Sequence, residues 1–279
     1  MQWYKRFFKF YINSSLHVAI AVYALSVISL KTYNLPYEES VLYFNFFATI
    51  VGYNFVKYFG FVKSHYLSLT RNFRLIIVVS VLAFFAMSYY FFKLNLMTQY
   101  TIIAMALLTF FYANPRLTKK KLKDEKKNLR QVTGIKIYII ALVWVVVTLI
   151  LPLLAASKLI TGLTIVAAIQ LFCFVLASIL PFEIRDLAYD HYKLGTIPQR
   201  IGIKATKVLG VFLLVIFVGL ELFTIEQDPY LISHMAIAAI AAGFIMGSKK
   251  SQGPYYSAFW VESLPMIWLM FILLEDYFI

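Results

Sequence analysis

Between Glu39 and Asp124 the chain carries no acidic residue, and its 279 residues hold only 13 Asp and Glu against 26 Lys and Arg. Charge of either sign is scarce, at 14%, where soluble domains carry about 25%. That shortage excludes an ordinary water-soluble domain. The single cysteine, Cys173, excludes an intrachain disulfide; lying inside an apolar run, it reads as a small core residue. A small-x-small cleavage site is missing after the basic, aromatic start MQWYKRFFKFYINSS, and KTYNLP follows the first apolar run instead. Residues 1–14 are therefore expected to form an amphipathic interfacial segment leading into a retained helix.

What is present is apolar. The chain is 62% hydrophobic and 18% aromatic, with a mean hydropathy of +0.78. Runs of roughly 20 residues, the length that crosses a hydrocarbon core of about 30 Å, recur near 15–31, 40–59, 74–93, 97–113, 136–155, 160–181, 206–225, 230–247 and 257–275. They predict an all-α polytopic membrane protein of nine transmembrane helices, one integral membrane domain over 1–279 with no room for a soluble one.

The basic residues set an expected orientation. All of the 26 Lys and Arg except Lys31, Lys93 and Lys158 fall at the start or in alternate connections, while Glu38, Glu39, Glu226, Asp228, Glu275 and Asp276 gather on the other side. Because Lys and Arg near helix ends are retained inside, this predicts a cytoplasmic N-terminus and a C-terminus on the opposite side, with a bacterial inner membrane as the expected location. The net charge of +13 then describes an inner face against anionic lipid, and the run RLTKKKLKDEKKNLR a solvated inner loop; no nucleic-acid partner is expected. The polar loops after the second and sixth runs open on the same side, as two parallel four-helix repeats plus one helix would arrange them.

One loop stands out: PFEIRDLAYDHYKLGTIPQRIG, within which 182–202 is expected to form an acidic motif loop. Glu183, Asp186 and Asp190 follow an i, i+3, i+7 pattern, which on a helix stacks three carboxylates on one face. Like charges so placed repel, and the arrangement makes more sense around a cation. Oxygen ligands without His or Cys select a hard ion, Mg²⁺ when phosphate oxygens complete the shell. Arg185, Lys193 and Arg200 add donors suited to phosphate. Gly195 permits a tight turn, and Thr196 with Pro198 supplies a cap and an early-helix proline.

The ordered set Glu183-x-Arg185-Asp186-x-x-x-Asp190, then Gly195-Thr196-Ile197-Pro198 and Gly202 between two spans, resembles the second aspartate-rich motif of the UbiA superfamily of intramembrane prenyltransferases. Nine spans, the amphipathic start, the basic loop opening with Tyr112 and Pro115, and the closing YYSAFWVESLP are similar to that superfamily too. The resemblance implies a UbiA-like bundle and an Mg²⁺-dependent enzyme moving an isoprenyl group from an isoprenyl diphosphate to a lipid-soluble acceptor. It also implies Glu183, Asp186 and Asp190 as metal ligands, Asp186 and Asp190 as the catalytic acids, and Arg185 and Lys193 on the diphosphate.

The first motif of that superfamily, N-D-x-x-D-x-x-x-D, falls at GYNFVKYFGFV, where Asn54 matches the leading Asn but Phe55, Tyr58 and Val62 stand at the acids; in the second motif Glu183 stands where the first Asp is usual. Lys57 sits where acids are missing. Two readings follow: Lys57, beside Asn54, neutralises the diphosphate in place of one metal, or the protein binds an isoprenoid or lipid without turning it over. A transporter is the third. Tyr53, Phe55, Phe59, Tyr138, Trp144 and Tyr189 are candidate linings for a carbocation, with aromatic packing as the alternative. Glu262 and His234 lie inside spans, where an ionisable group is costly; Glu221 is expected to reach an interface, and His17 and Gln170 to be satisfied core groups.

Overall fold

The computed structural model describes residues 3–58, 71–113, 136–189, 195–221, 223 and 230–278, and every regular element among them is helical. In chain order these are α1 (Trp3–Asn13), α2 (Leu16–Thr32), α3 (Glu39–Tyr58), α4 (Arg71–Phe91), α5 (Leu96–Ala113), α6 (Lys136–Ala155), α7 (Gly162–Asp186), α8 (Ile197–Glu221), α9 (Leu231–Gly247) and α10 (Leu264–Phe278). Each of the nine apolar runs falls on one of α2 to α10. Five segments are long and apolar enough to cross a membrane by themselves: Phe73–Phe91, Lys136–Ala155, Gly162–Asp186, Ile197–Glu221 and Tyr256–Phe278. The pair α1 and α2, bent by 55°, makes a sixth if taken as one broken span, and Leu96–Phe111 and Leu231–Gly247 are shorter apolar helices.

The largest core cluster is gathered around α7. Its most extensive contact is with α8, and it also meets α6 and α9. Phe174 on α7, Phe217 on α8 and Trp268 on α10 form a ring cluster with centroids 5.0–5.4 Å apart. Gly210 lets α8 approach closely: a Cβ there would lie 3.0 Å from Leu180 Cδ1 and 3.1 Å from Ile245.

Two π turns interrupt the helical register, and the first has a visible cause. In α6 the turn Val146–Ile150 precedes Pro152. An i to i+5 register sends the N–H of residue 152 to the Val147 carbonyl, but proline has no N–H. Asn45 of α3 takes its place, donating Nδ2 to Val147 O at 2.8 Å and to Ser26 Oγ at 3.0 Å. The second π turn, Tyr256–Val261, leads into α10.

Several motif expectations can be compared with these elements. The helix carrying Glu183 stops at Asp186 and gives way to a turn over 187–189, so the i, i+7 stack is not continued as α-helix toward residue 190. Gly195 has φ +55, the turn its lack of a Cβ permits. Pro198 sits in the first turn of α8, as expected, but Thr196 Oγ1 makes no hydrogen bond among the described residues; Gln199 Oε1 instead accepts from the Thr196 N–H at 3.3 Å. The seventh run, placed at 206–225, begins earlier, because α8 runs from Ile197 through a kink at Gly202.

Candidate functional site

The C-terminal ends of α3 and α7 and the N-terminal ends of α2, α6, α8 and α10 lie at the same end of the bundle. This follows from their alternating course and their mutual contacts. The described parts of the motif loop and of the missing-acid segment are thereby brought to one end of the bundle.

The corner begins at the bend between α1 and α2. Ser14 and Ser15 are fully buried, and Ser15 adopts a left-handed φ of 63, a conformation that costs a non-glycine residue energy and is kept where surroundings demand it. Its hydroxyl donates to Asn54 Oδ1 at 2.8 Å and accepts from Lys57 Nζ at 2.9 Å. Asn54 Nδ2 donates to Ser14 O at 3.1 Å and Ser80 Oγ at 2.9 Å. Asn54, expected to bind substrate, is therefore engaged at both polar atoms by the protein and positions the seryl hydroxyl that receives Lys57. The Lys57 ammonium also lies 5.9 Å from the Tyr53 ring, and Trp144 Nε1 donates to the Tyr53 hydroxyl at 3.0 Å, tying α6 to α3.

Lys57 is exposed and Glu262 is half-buried. Glu262 lies within electrostatic range of both Lys57 and Arg185, and no direct ion pair joins it to either. Lys57 of α3, Arg185 of α7 and Glu262, just before α10, thus lie toward the same end of the bundle.

The acids of the motif are differently placed. Glu183 is 3% exposed and meets Lys136 of α6 at 3.3 Å. Asp186 Oδ1 accepts from Arg185 Nε at 2.8 Å and its Nη2 lies 2.7 Å away. Asp190 and Lys193 lie outside the described residues, as does Phe59. Among the described residues no group of three or more His, Cys, Asp and Glu comes together as a metal cradle. The donor chemistry of Glu183 and Asp186, oxygen only, suits a hard cation, and a third carboxylate rests with Asp190.

Beside this corner His17 is held by three partners. Its Nε2 lies 3.0 Å from Phe259 O and 3.2 Å from Ser263 Oγ, and its Nδ1 2.9 Å from the Tyr11 hydroxyl. A carbonyl only accepts, so Nε2 carries the proton and Nδ1 accepts from Tyr11. His17 is thus a satisfied core group, as expected. At the other end of α7, Gln170 Nε2 donates to Glu221, whose Oε2 lies 3.8 Å from His234 Nε2. Glu221 was expected to reach an interface; it is 0% exposed, and the His234 ring beside it packs against Phe217 and Trp268. Of the candidate aromatic linings, Phe55, Tyr138 and Tyr189 are exposed, whereas Tyr53 and Trp144 are partly buried and joined.

Sequence reasoning missed Ser14 and Ser15, which read as the end of an interfacial segment. It also left Glu262 isolated; the available signal was an acid inside an apolar run, with nothing to connect it to Lys57. No protein-family profile, no curated protein and no solved structure matches the chain.

Proposed function

We propose that the protein is a UbiA-like intramembrane prenyltransferase, moving an isoprenyl group from an isoprenyl diphosphate to a lipid-soluble acceptor. One observation supports the reading above the rest: Lys57 from α3 and Arg185 from α7, the counterparts of the two motif segments, both lie in electrostatic range of Glu262. Cations from two distant segments meeting at one end of an apolar bundle suit a ligand with an anionic head and a hydrocarbon tail.

In this proposal Lys57, Arg185 and Lys193 hold the diphosphate, and Asn54 acts through Ser15 to fix the Lys57 ammonium. The carbon–oxygen bond breaks with its electron pair leaving on the diphosphate, and the acceptor's nucleophilic atom forms the new bond to carbon and then loses a proton. Lys57 and Arg185 stabilise the charge that gathers on the leaving group, and the Tyr53 and Trp144 rings offer π faces to the allylic cation. Glu183, Asp186 and Asp190 would hold Mg²⁺, which supplies further charge neutralisation at the diphosphate. The proposal includes nine spans in one domain, a cytoplasmic N-terminus and a bacterial inner membrane.

A second reading, binding of an isoprenoid or phospholipid without turnover, is favoured by a specific observation: Glu183 and Asp186 are each engaged by a base, Lys136 and Arg185. The experiment is release of diphosphate from long-chain isoprenyl diphosphates by purified protein with Mg²⁺, with Asp186→Asn and Asp190→Asn alongside. Release lost in both variants supports transfer. Donor binding without release supports the second reading, and absence of both release and binding defeats the proposal.

A further inference from the structure

Helix α1 has three faces, and among the described residues the bundle occupies one of them. Phe8, Tyr11 and Ile12, at i, i+3 and i+4, turn inward. The Phe8 ring lies 4.9 Å from that of Tyr255 and 5.1 Å from that of Phe259, the Tyr11 hydroxyl is 2.9 Å from His17 Nδ1, and Ile12 is buried. A second face is aromatic and turned outward: Trp3, Phe7 and Phe10 follow i, i+4 and i+7, with Trp3 76% exposed, Phe7 65% exposed and Phe10 half-buried. The third holds Lys5, Arg6 and Lys9, all exposed, and the helix carries no acid to answer them. Outward rings beside a run of cations suit the boundary between acyl chains and headgroups, where rings are buried and charged tips stay wet.

The helix is also placed for that boundary. A 55° bend turns α1 off the course of α2, at the end of the bundle where α2, α8 and α10 begin. Lys204, Lys249 and Lys250 are exposed toward this end as well, so the cations of α1 extend a basic rim. Each Lys or Arg near an anionic surface strengthens the hold about fivefold. The bend is where α1 meets the site. The Ser14 N–H donates to Phe10 O at 2.8 Å, the Ser15 N–H to Ile12 O at 3.3 Å, and the Tyr58 hydroxyl to Asn13 O at 3.0 Å. Ser15 Oγ then accepts from Lys57 Nζ at 2.9 Å. Phe10 therefore belongs to the outward aromatic face and also ties down the bend with its carbonyl. We propose that α1 docks on the anionic phospholipid headgroups of the leaflet at this end, rings toward the acyl chains and cations on the phosphates, and that this seating holds the Ser14–Ser15 bend that positions Lys57. The proposal goes beyond the prenyl diphosphate reading and does not depend on it, because leaflet composition reaches the Lys57 ammonium whatever ligand that cation serves.

The test uses the full chain in lipid nanodiscs with one thiol-linked fluorophore, which is possible because Cys173 is the single cysteine and Cys173→Ala clears the background. Phe7→Cys puts the label on the aromatic face, and Asn13→Cys puts it among the exposed polar positions. Brominated acyl chains quench a label that reaches them, and aqueous iodide quenches one that does not. In discs of phosphatidylcholine with phosphatidylglycerol, bromine should quench the Phe7→Cys label and iodide the Asn13→Cys label. Replacing the phosphatidylglycerol, or combining Lys5→Gln, Arg6→Gln and Lys9→Gln, should loosen docking by about tenfold or more. Hydrogen–deuterium exchange reads the bend. Trp3→Ser with Phe7→Ser changes no charge and should speed exchange of the Ser14 and Ser15 amides severalfold. Equal bromine quenching at both labels, or quenching of the Phe7→Cys label that ignores phosphatidylglycerol, overturns the anionic leaflet as the partner. A Phe7→Cys label shielded from both quenchers means that protein covers the face, a second copy of the chain included, and overturns it too. Unchanged exchange at the bend in the serine pair overturns the coupling to Lys57. None of these readouts uses a diphosphate, so their failure leaves the prenyl diphosphate reading standing, and failure of donor binding leaves the docking of α1 standing.

Discussion

Lys136 of α6 reaches across to Glu183 of α7, 3.3 Å from ammonium to carboxylate, with the glutamate buried and the lysine partly exposed. The pair links the first residue of one helix to the last turn of its neighbour. Removing the lysine alone takes away the charge that balances a buried carboxylate. Lys136→Met should therefore lower stability by about 1–2 kcal/mol, a figure reduced from that of a fully buried pair because the lysine retains solvent. Restoring balance with Lys136→Met and Glu183→Gln together should recover part of the loss. Thermal unfolding in detergent across the double-mutant cycle measures it, and strict additivity would contradict a coupled pair.

Asn54→Asp offers a sharp test of the serine corner. An ionised aspartate has no N–H to give Ser14 O or Ser80 Oγ. The expected cost is about 2 kcal/mol, from a buried carbonyl left without its donor and a charge added to a buried site. Ser15 keeps its acceptor at Oδ1, so binding of an isoprenyl diphosphate analogue should weaken because the new carboxylate competes with the ligand for the Lys57 ammonium that the same hydroxyl receives, and Ser15→Ala should weaken it by removing that hydroxyl. Unchanged binding in both would separate Lys57 from that corner.

Gly202 has φ +79 and ψ +162 within α8, a backbone state that side chains disfavour, although open space surrounds the position a Cβ would take. Gly202→Ala should destabilise by about 1–3 kcal/mol through backbone strain alone. Because no neighbour is crowded, Gly202→Val should cost no less. A stability gain with alanine would mean that the kink straightens without penalty.

At Gly247 the obstacle is a neighbour instead. A Cβ would come 2.6 Å from the Tyr256 hydroxyl, which donates to Phe244 O at 2.8 Å. Gly247→Ala should cost about 1 kcal/mol by displacing that hydroxyl and its hydrogen bond. In a Tyr256→Phe background the same substitution should cost less, since the clashing oxygen is gone. Equal costs in the two backgrounds would locate the strain elsewhere.

The helices were legible in the sequence because bilayer length and apolar runs constrain the same segments; α2 to α10 each overlie a run. Their ends were less so. Gly202 is a sequence glycine like any other until its φ is known, and α8 therefore starts well before the apolar run it carries. Glu221 sits close to the end of a run, which suggested an interface, but Gln170 and His234 come from other helices to bury it. The motif loop was legible as a pattern of charges. The corner at Ser15, Asn54 and Lys57 was not, because it depends on a bend between two helices and on side chains 39 and 42 residues apart meeting across it.

The serine corner also sets an order during synthesis. Ser14 and Ser15 leave the ribosome before Asn54 and Lys57, and Ser80 follows them. The left-handed bend at Ser15 therefore gains its partners only once α3 and α4 have been made, and a chain stalled before them would carry that bend without the hydrogen bonds that hold it.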